Sequence, residues 1–138
     1  MARRGKTRYH EAGHAVVAHM LGFKVLSVEK GIKGKTGGLT KFKKGLRVPV
    51  EQVMAVNLAG DIAEKRYSKV DPQGGGMDLL DCLMIVVQLP EDRREDLVKL
   101  SYCISEQILD ENWDLVEEVA QLMYDNEVVK KPFKKLGR

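Results

Sequence analysis

Hydrophobic residues recur with the 3.6-residue period of an α-helix over several segments of this 138-residue chain. The pattern predicts a first helix from about Thr7 to Leu21, with Gly22 as its C-terminal stop. A second periodic stretch predicts a helix that begins at Pro49 and frays near Tyr67. The first half of the chain is therefore expected to contain two long amphipathic helices.

The second half of the chain predicts three further helices. The third begins near Asp78 and runs to about Leu89, and Pro90 opens the fourth, with acidic residues that suit the positive end of a helix dipole. Asn112 is expected to cap the fifth helix.

Between the first two helices the pattern changes to one typical of β-strands. Residues 24–30 and 39–43 are strand-like, and the segment that joins them is rich in glycine, so the two are expected to form a β-hairpin. The prediction is a mainly α fold with one small β-hairpin after the first helix. At this length a single domain over residues 1–138 is expected.

The net charge of +3 is too small to dictate a partner, although basic residues cluster at both ends of the chain. No aromatic residues interleave with them as a stacking platform for nucleic acid would require, so no nucleic-acid partner is expected. We interpret these clusters as solvated termini rather than as sites for phosphate or anionic membrane.

The cysteines and the hydropathy indicate the cellular environment. Cys82 and Cys103 lie in hydrophobic, helix-like contexts and form no CxxC pair, so both are expected to be buried free thiols, as in a reducing compartment. No stretch approaches the ~20 apolar residues of a membrane span. A cytoplasmic protein without a membrane segment is therefore expected.

One face of the predicted first helix combines histidines with a hydrophobic stripe. His10, Gly13, His14, Val17 and Leu21 share that face by the helical period. Gly13 lowers helix stability by about 1 kcal/mol relative to alanine. Its presence is easier to explain by close packing of another segment than by local helix propensity.

The segment His-Glu-Ala-Gly-His has the spacing of a helical zinc site. Four residues along a helix correspond to a rotation of about 40°, so the imidazoles of His10 and His14 can meet one metal ion at ~2.0–2.1 Å. Glu11 is rotated by about 100° from His10 and flanks the site, where a general base can take a proton from water. The alternative is that both histidines are ordinary surface residues of a helix.

A catalytic zinc site needs a third protein ligand from another segment. His19 is about 140° around the helix from His14 and points elsewhere. The acidic candidates are Glu64, Asp71, Asp78 and Asp81. Asp78 is the preferred one because it follows a glycine-rich turn and opens a helix, although an ordinary carboxylate at a helix start explains it equally well.

Several segments resemble the peptidase domain of the FtsH-type ATP-dependent zinc proteases. Residues 9–17, Tyr-His-Glu-Ala-Gly-His-Ala-Val-Val, are similar to the start of that domain. Residues 58–64 resemble the family's Gly-Gly-Arg-x-Ala-Glu-Glu helix, residues 74–79 its Gly-Ala-x-x-Asp-Leu segment, and residues 108–128 its closing helices. The segments occur in the family's order and span most of the chain.

The resemblance implies a complete zinc site. Asp78 would be the third zinc ligand beside His10 and His14, and Glu11 would be the catalytic glutamate. The implied fold is a mainly α-helical, zincin-like domain that is usually hexameric. A strand formed by Gly38, Leu39 and Thr40 would pair with extended substrate.

Departures from the family limit the expected activity. The family's transmembrane segment and ATPase module are missing, and Asp61 stands where the Gly-Gly-Arg motif has arginine. We therefore predict a zinc endopeptidase that acts on unstructured peptides, with a separate ATPase partner or a homo-oligomer as further expectations. The alternatives are a non-catalytic binding or assembly module that keeps the fold, and a metal-dependent amidase.

Overall fold

A computed structural model describes residues 2–29, 39–43, 47–68 and 83–138 of the protein. The helices are α1 (Ala2–Met20), α2 (Val50–Ser68), α3 (residues 83–86), a 3₁₀ turn (Glu91–Arg93), α4 (Arg94–Glu111), α5 (Trp113–Leu122) and α6 (Pro132–Lys135). The strands are β1 (Lys24–Glu29), β2 (Leu39–Lys43) and β3 (Val128–Lys130). This architecture confirms the mainly α fold.

The predicted hairpin is confirmed, and it belongs to a slightly larger sheet. β1 and β2 pair antiparallel, with Val28 opposite Thr40. The three-residue β3 pairs antiparallel with the other side of β1, with Val28 opposite Val129, so the strand order is β2-β1-β3. A strand as short as β3 has too few residues to show an alternating pattern, and for that reason the sequence did not predict it.

The first helix begins earlier than predicted, but it ends where glycine predicts. α1 starts at Ala2 rather than Thr7. Gly22 adopts a φ of 89°, and the amide of Phe23 donates to the carbonyl of Ala18 at 2.8 Å, as in a glycine-terminated helix end. This sharp stop lets β1 begin two residues later and fold back beside α1.

The later helices also differ in detail from the prediction. A 3₁₀ turn, rather than the α-helix itself, follows Pro90. Asn112 precedes α5, but its Nδ2 donates to the carbonyl of Ile108 at 2.8 Å and makes no capping bond to α5. The start expected for the third helix, near Asp78, lies outside the described residues.

The helix that carries the histidines runs through the core of the protein. Its buried residues extend well beyond the face that the periodicity predicts, because α2, α5 and β1 pack on different sides of it. Side chains of α1 that are fully buried are those of Ala12, Ala15, Val16, Val17 and Ala18. The histidine pair therefore lies on a helix that packs against several other elements of the fold.

α1 and α2 approach each other closely at Gly13. A Cβ atom at this position would lie 2.5 Å from the Cβ of Ala63 and 2.7 Å from the carbonyl oxygen of Ala59. Both distances are shorter than van der Waals contact, so only glycine allows this approach. The close packing expected at Gly13 is confirmed.

Exposure of the described residues corrects one expectation. Cys103 is exposed on α4 rather than buried, because the side of α4 that packs on the rest of the fold carries Leu97, Ser101, Ser105 and Leu109 instead. Cys82 lies outside the described residues. Among the helices that the structure describes, none has the length and hydrophobicity needed to cross a membrane.

The Gly13→Ala substitution is expected to lower the free energy of unfolding by roughly 1–3 kcal/mol, because overpacking at the backbone of Ala59 outweighs the gain in helix propensity. Urea denaturation followed by circular dichroism measures the change. Gly5→Ala is the comparison at a second buried glycine of α1, where a Cβ would meet the phenol end of Tyr67 rather than backbone, so a smaller loss is expected. A G13A protein as stable as the wild type would contradict the packing argument.

Candidate metal centre

His14 is oriented by the backbone of α2. The side chain is buried, and its Nδ1 donates a hydrogen bond to the carbonyl oxygen of Val56 at 2.6 Å. A carbonyl oxygen can only accept, so Nδ1 carries the proton. In the neutral imidazole, Nε2 then presents a lone pair, which is the form that binds a metal ion.

His10 lies against two carboxylates of α2. Its Nδ1 lies 3.4 Å from Oε1 of Glu64 and 3.5 Å from Oδ1 of Asp61. Two carboxylate oxygens beside Nδ1 favour the tautomer of His10 that carries its proton on Nδ1 and presents a lone pair at Nε2. Glu64 is only 3% exposed, whereas Asp61 lies at the edge of the site and is partly exposed.

The two Nε2 atoms converge. They are 3.2 Å apart, and the imidazole rings meet edge to face with their centroids 4.7 Å apart. Two lone pairs at this distance repel unless a proton or a cation lies between them. Two nitrogen ligands at tetrahedral positions around zinc are about 3.3 Å apart, so the separation fits a shared metal ion.

Gly60 keeps the space beside these nitrogens open. A Cβ atom at position 60 would lie 2.7 Å from Nε2 of His10 and closer still to Nε2 of His14. Those distances approach a zinc–nitrogen bond of about 2.0–2.1 Å, so the first atom of any side chain would compete with a metal ion for the same space. The residues present therefore fit a metal ion at this position.

Glu11 lies on the same side of the site as the converging nitrogens. It is 4% exposed, and its Oε2 is 4.0 Å from Nε2 of His10. The hydroxyl of Thr40 on β2 donates to its Oε1 at 2.7 Å. The arrangement places a buried carboxylate oxygen beside the position that a metal ion would share with water.

The candidates for a third ligand separate into two groups. Glu64 contacts Nδ1 of His10, the nitrogen that faces away from the shared position, and therefore orients a ligand rather than serving as one. Asp71, Asp78 and Asp81 lie outside the described residues, as does Gly38 of the expected substrate strand. Within the described ranges, no group of three or more His, Cys, Asp or Glu side chains is arranged to hold a metal ion.

Two contributors from α2, Val56 and Gly60, were not predicted from the sequence, and Glu64, a candidate ligand, contacts Nδ1 of His10 instead. The carbonyl of Val56, the open space at Gly60 and the carboxylate of Glu64 lie at intervals of four residues, on one face of the helix. A glycine four residues before an acid, within a stretch rich in small apolar residues, is a signal that could have identified Gly60 and the orienting role of Glu64. The carbonyl of Val56 has no sequence signal, since every residue has one.

The third histidine lies away from the site, as expected. His19 stacks on Phe133 of α6, with ring centroids 3.9 Å apart and an interplanar angle of 6°. Burial lowers the pKa of His19, because desolvation disfavours the charged imidazolium. His19 therefore fixes the end of α1 against α6 and contributes nothing to the metal centre.

An aromatic stack packs α1 against α2 and α5 next to the histidine pair. Tyr9, which precedes His10, stacks on Tyr67 with ring centroids 4.0 Å apart and on Trp113 at 5.6 Å. Burial raises the pKa of Tyr9, and the negative charge of Glu117 raises it further. The stack joins α1, α2 and α5 immediately beside the histidine pair.

No protein-family model matches the chain, and no curated protein matches it either. The similarity to the FtsH-type zinc proteases stays a prediction that rests on the His-Glu-Ala-Gly-His motif and on the order of the weaker segments.

The Glu64→Gln substitution is expected to weaken zinc binding about 10-fold, because the amide is a weaker acceptor for Nδ1 of His10 and lowers the basicity of Nε2. Competition against a chromophoric chelator measures the affinity. Glu106→Gln, which changes an exposed carboxylate on α4, should leave it unchanged. Equal zinc affinities for E64Q and wild type would show that Glu64 plays no part in metal binding.

The Gly60→Ala substitution is expected to reduce bound zinc from about one ion per chain to almost none, because the added methyl occupies the shared position. Elemental analysis of the purified protein gives the stoichiometry, and circular dichroism shows whether the fold is kept.

The steric argument has an independent check in the metal-free protein. Adding G60A to a His14→Ala protein should cost less stability than adding it to wild type, because the closest neighbour of the methyl is gone.

Proposed function

We propose that this protein is a zinc-dependent endopeptidase that hydrolyses unstructured peptides. The observation that carries the proposal is the buried convergence of two Nε2 lone pairs, 3.2 Å apart, with a glutamate oxygen 4.0 Å from one of them. A histidine pair alone would support only a metal site. The adjacent carboxylate of Glu11 adds the group that hydrolysis requires.

His10 and His14 would hold the zinc ion through Nε2, and Asp78 is proposed as the third ligand from the resemblance alone. When bound, zinc acidifies a water molecule and polarises the carbonyl group of a substrate. Oε2 of Glu11 then accepts a proton from the water and delivers it to the nitrogen of the leaving amine. Burial of Glu11 supports this role, because a low-dielectric environment strengthens its interaction with the reacting groups.

The sheet supplies a surface for an extended substrate. Of the three described strands, β2 lies at one edge, beside the histidine helix. An extended peptide could add to this edge through backbone hydrogen bonds, with Leu39 and Thr40 as the described part of the strand. Edge pairing requires an extended chain, and this requirement is the reason for proposing peptides or unfolded segments as substrates. A folded protein would first have to be unfolded, and an ATPase partner that does so is part of the proposal. Assembly into a homo-oligomer is also part of it.

The Glu11→Gln protein is expected to keep about one zinc ion per chain while kcat falls by roughly 10²- to 10⁴-fold, the usual contribution of a general base. Cleavage of a library of unstructured fluorogenic peptides measures the rate, and elemental analysis measures the metal. Chelation should abolish cleavage by the wild type, and added zinc should restore it. Glu106→Gln is the matched carboxylate-to-amide control on an exposed face.

The possible results separate the competing functions. Full cleavage by E11Q would disprove the assigned mechanism. Failure of the wild type to take up zinc would favour a non-catalytic binding or assembly module. Zinc-dependent hydrolysis of small amides without cleavage of any peptide would identify an amidase.

A further inference from the structure

We infer that Thr40 is a positioning residue for the general base, holding one oxygen of Glu11 so that the other faces the histidine pair. The inference rests on the proposed function and assigns to the Thr40 side chain a role other than contact with substrate. It depends on an interaction between two separate elements, the helix α1 and the edge strand β2.

The geometry selects one carboxylate oxygen. Oγ1 of Thr40 donates to Oε1 of Glu11 at 2.7 Å, and it also lies 3.0 Å from the backbone carbonyl oxygen of Glu11. A hydroxyl has a single proton, and the shorter contact is to the stronger acceptor, the carboxylate. With Oε1 held in this way, Oε2 is the oxygen directed at His10, 4.0 Å from its Nε2.

The Thr40 hydroxyl is held in place by its side chain and by its strand. Threonine is β-branched and has a restricted χ1, and the backbone of Thr40 is paired with Val28 of β1. A glutamate side chain otherwise has three rotatable bonds and can turn away from the site. A fixed donor at Oε1 therefore preorganises Glu11 before substrate binds.

The strand that holds the base is also the strand proposed to pair with peptide. Because β2 would bind substrate through its backbone while the Thr40 side chain is directed at Glu11, one element sets the position of both. The distance between the general base and the scissile bond would then be defined by β2 itself. Loss of the Thr40 hydroxyl should displace the carboxylate of Glu11 without weakening the binding of peptide or zinc.

The test compares Thr40→Val, which keeps the shape but removes the donor, with Thr40→Ser, which keeps the donor. T40V is expected to retain about one zinc ion per chain and a KM close to that of wild type, with kcat lower by roughly 10- to 100-fold. T40S should recover most of that loss. Thr40→Ala, which also lacks the donor, should behave as T40V does and provides the comparison if valine disturbs the strand.

Two controls separate positioning from stability. Ser105→Ala removes another buried hydroxyl, which donates to the carbonyl of Ala55 at 2.9 Å, and should lower stability without lowering kcat. Adding T40V to the Glu11→Gln protein should cause no further loss of rate, because the group that Thr40 positions is no longer a base.

The outcomes distinguish this inference from the proposed function. Zinc-dependent cleavage by the wild type, with undiminished kcat in folded T40V and T40A, would overturn the role of Thr40 and leave the peptidase proposal intact. An equal further loss of rate when T40V is added to E11Q would also overturn it, since the hydroxyl would then act through something other than Glu11. A wild-type protein that binds zinc but cleaves no substrate would overturn both.

Discussion

The candidate site depends on how closely α1 and α2 approach each other. Gly13 on α1 lets the backbone of Ala59 come within a distance that any side chain would prevent. Gly60 on α2 leaves room for the two imidazoles. A larger residue at Gly13 would push the helices apart, and one at Gly60 would displace the imidazoles.

Once the helices are this close, polar contacts with α2 orient both histidines. His14 faces Val56 and His10 faces Glu64, so the two helices run antiparallel, and each imidazole meets an acceptor of α2 at Nδ1. A buried imidazole without such a partner would cost about 1–3 kcal/mol. With both Nδ1 atoms directed at α2, the two Nε2 atoms face each other 3.2 Å apart, where a cation or a proton would relieve the repulsion of their lone pairs. The proposed metal position therefore follows from the direction in which α2 turns the two imidazoles.

The sequence predicted the parts of this arrangement that are local. Helical periodicity, a terminating glycine and a glycine-rich turn predicted α1, the hairpin and α2, since these depend on residues a few positions apart. The motif also predicted that His10 and His14 share a face, because that follows from helix geometry alone. What the sequence could not predict was which element would face them. The roles of Val56, Glu64 and Thr40 depend on contacts between segments 29 to 54 residues apart, and no local pattern encodes those.

The histidine pair and the base are held by different elements. α2 contacts both imidazoles, whereas the Thr40 hydroxyl of β2 donates to the carboxylate of Glu11. A small movement of β2 relative to α1 would displace the carboxylate and leave the two Nε2 atoms where they are. Under the proposed function, metal binding and proton transfer could therefore change independently. A displaced β2 would then remove the proposed activity and leave the proposed metal site intact, so metal uptake by itself does not separate a peptidase from a binding module. The two are separated by the orientation of Glu11, since only hydrolysis requires a carboxylate oxygen beside the shared metal position.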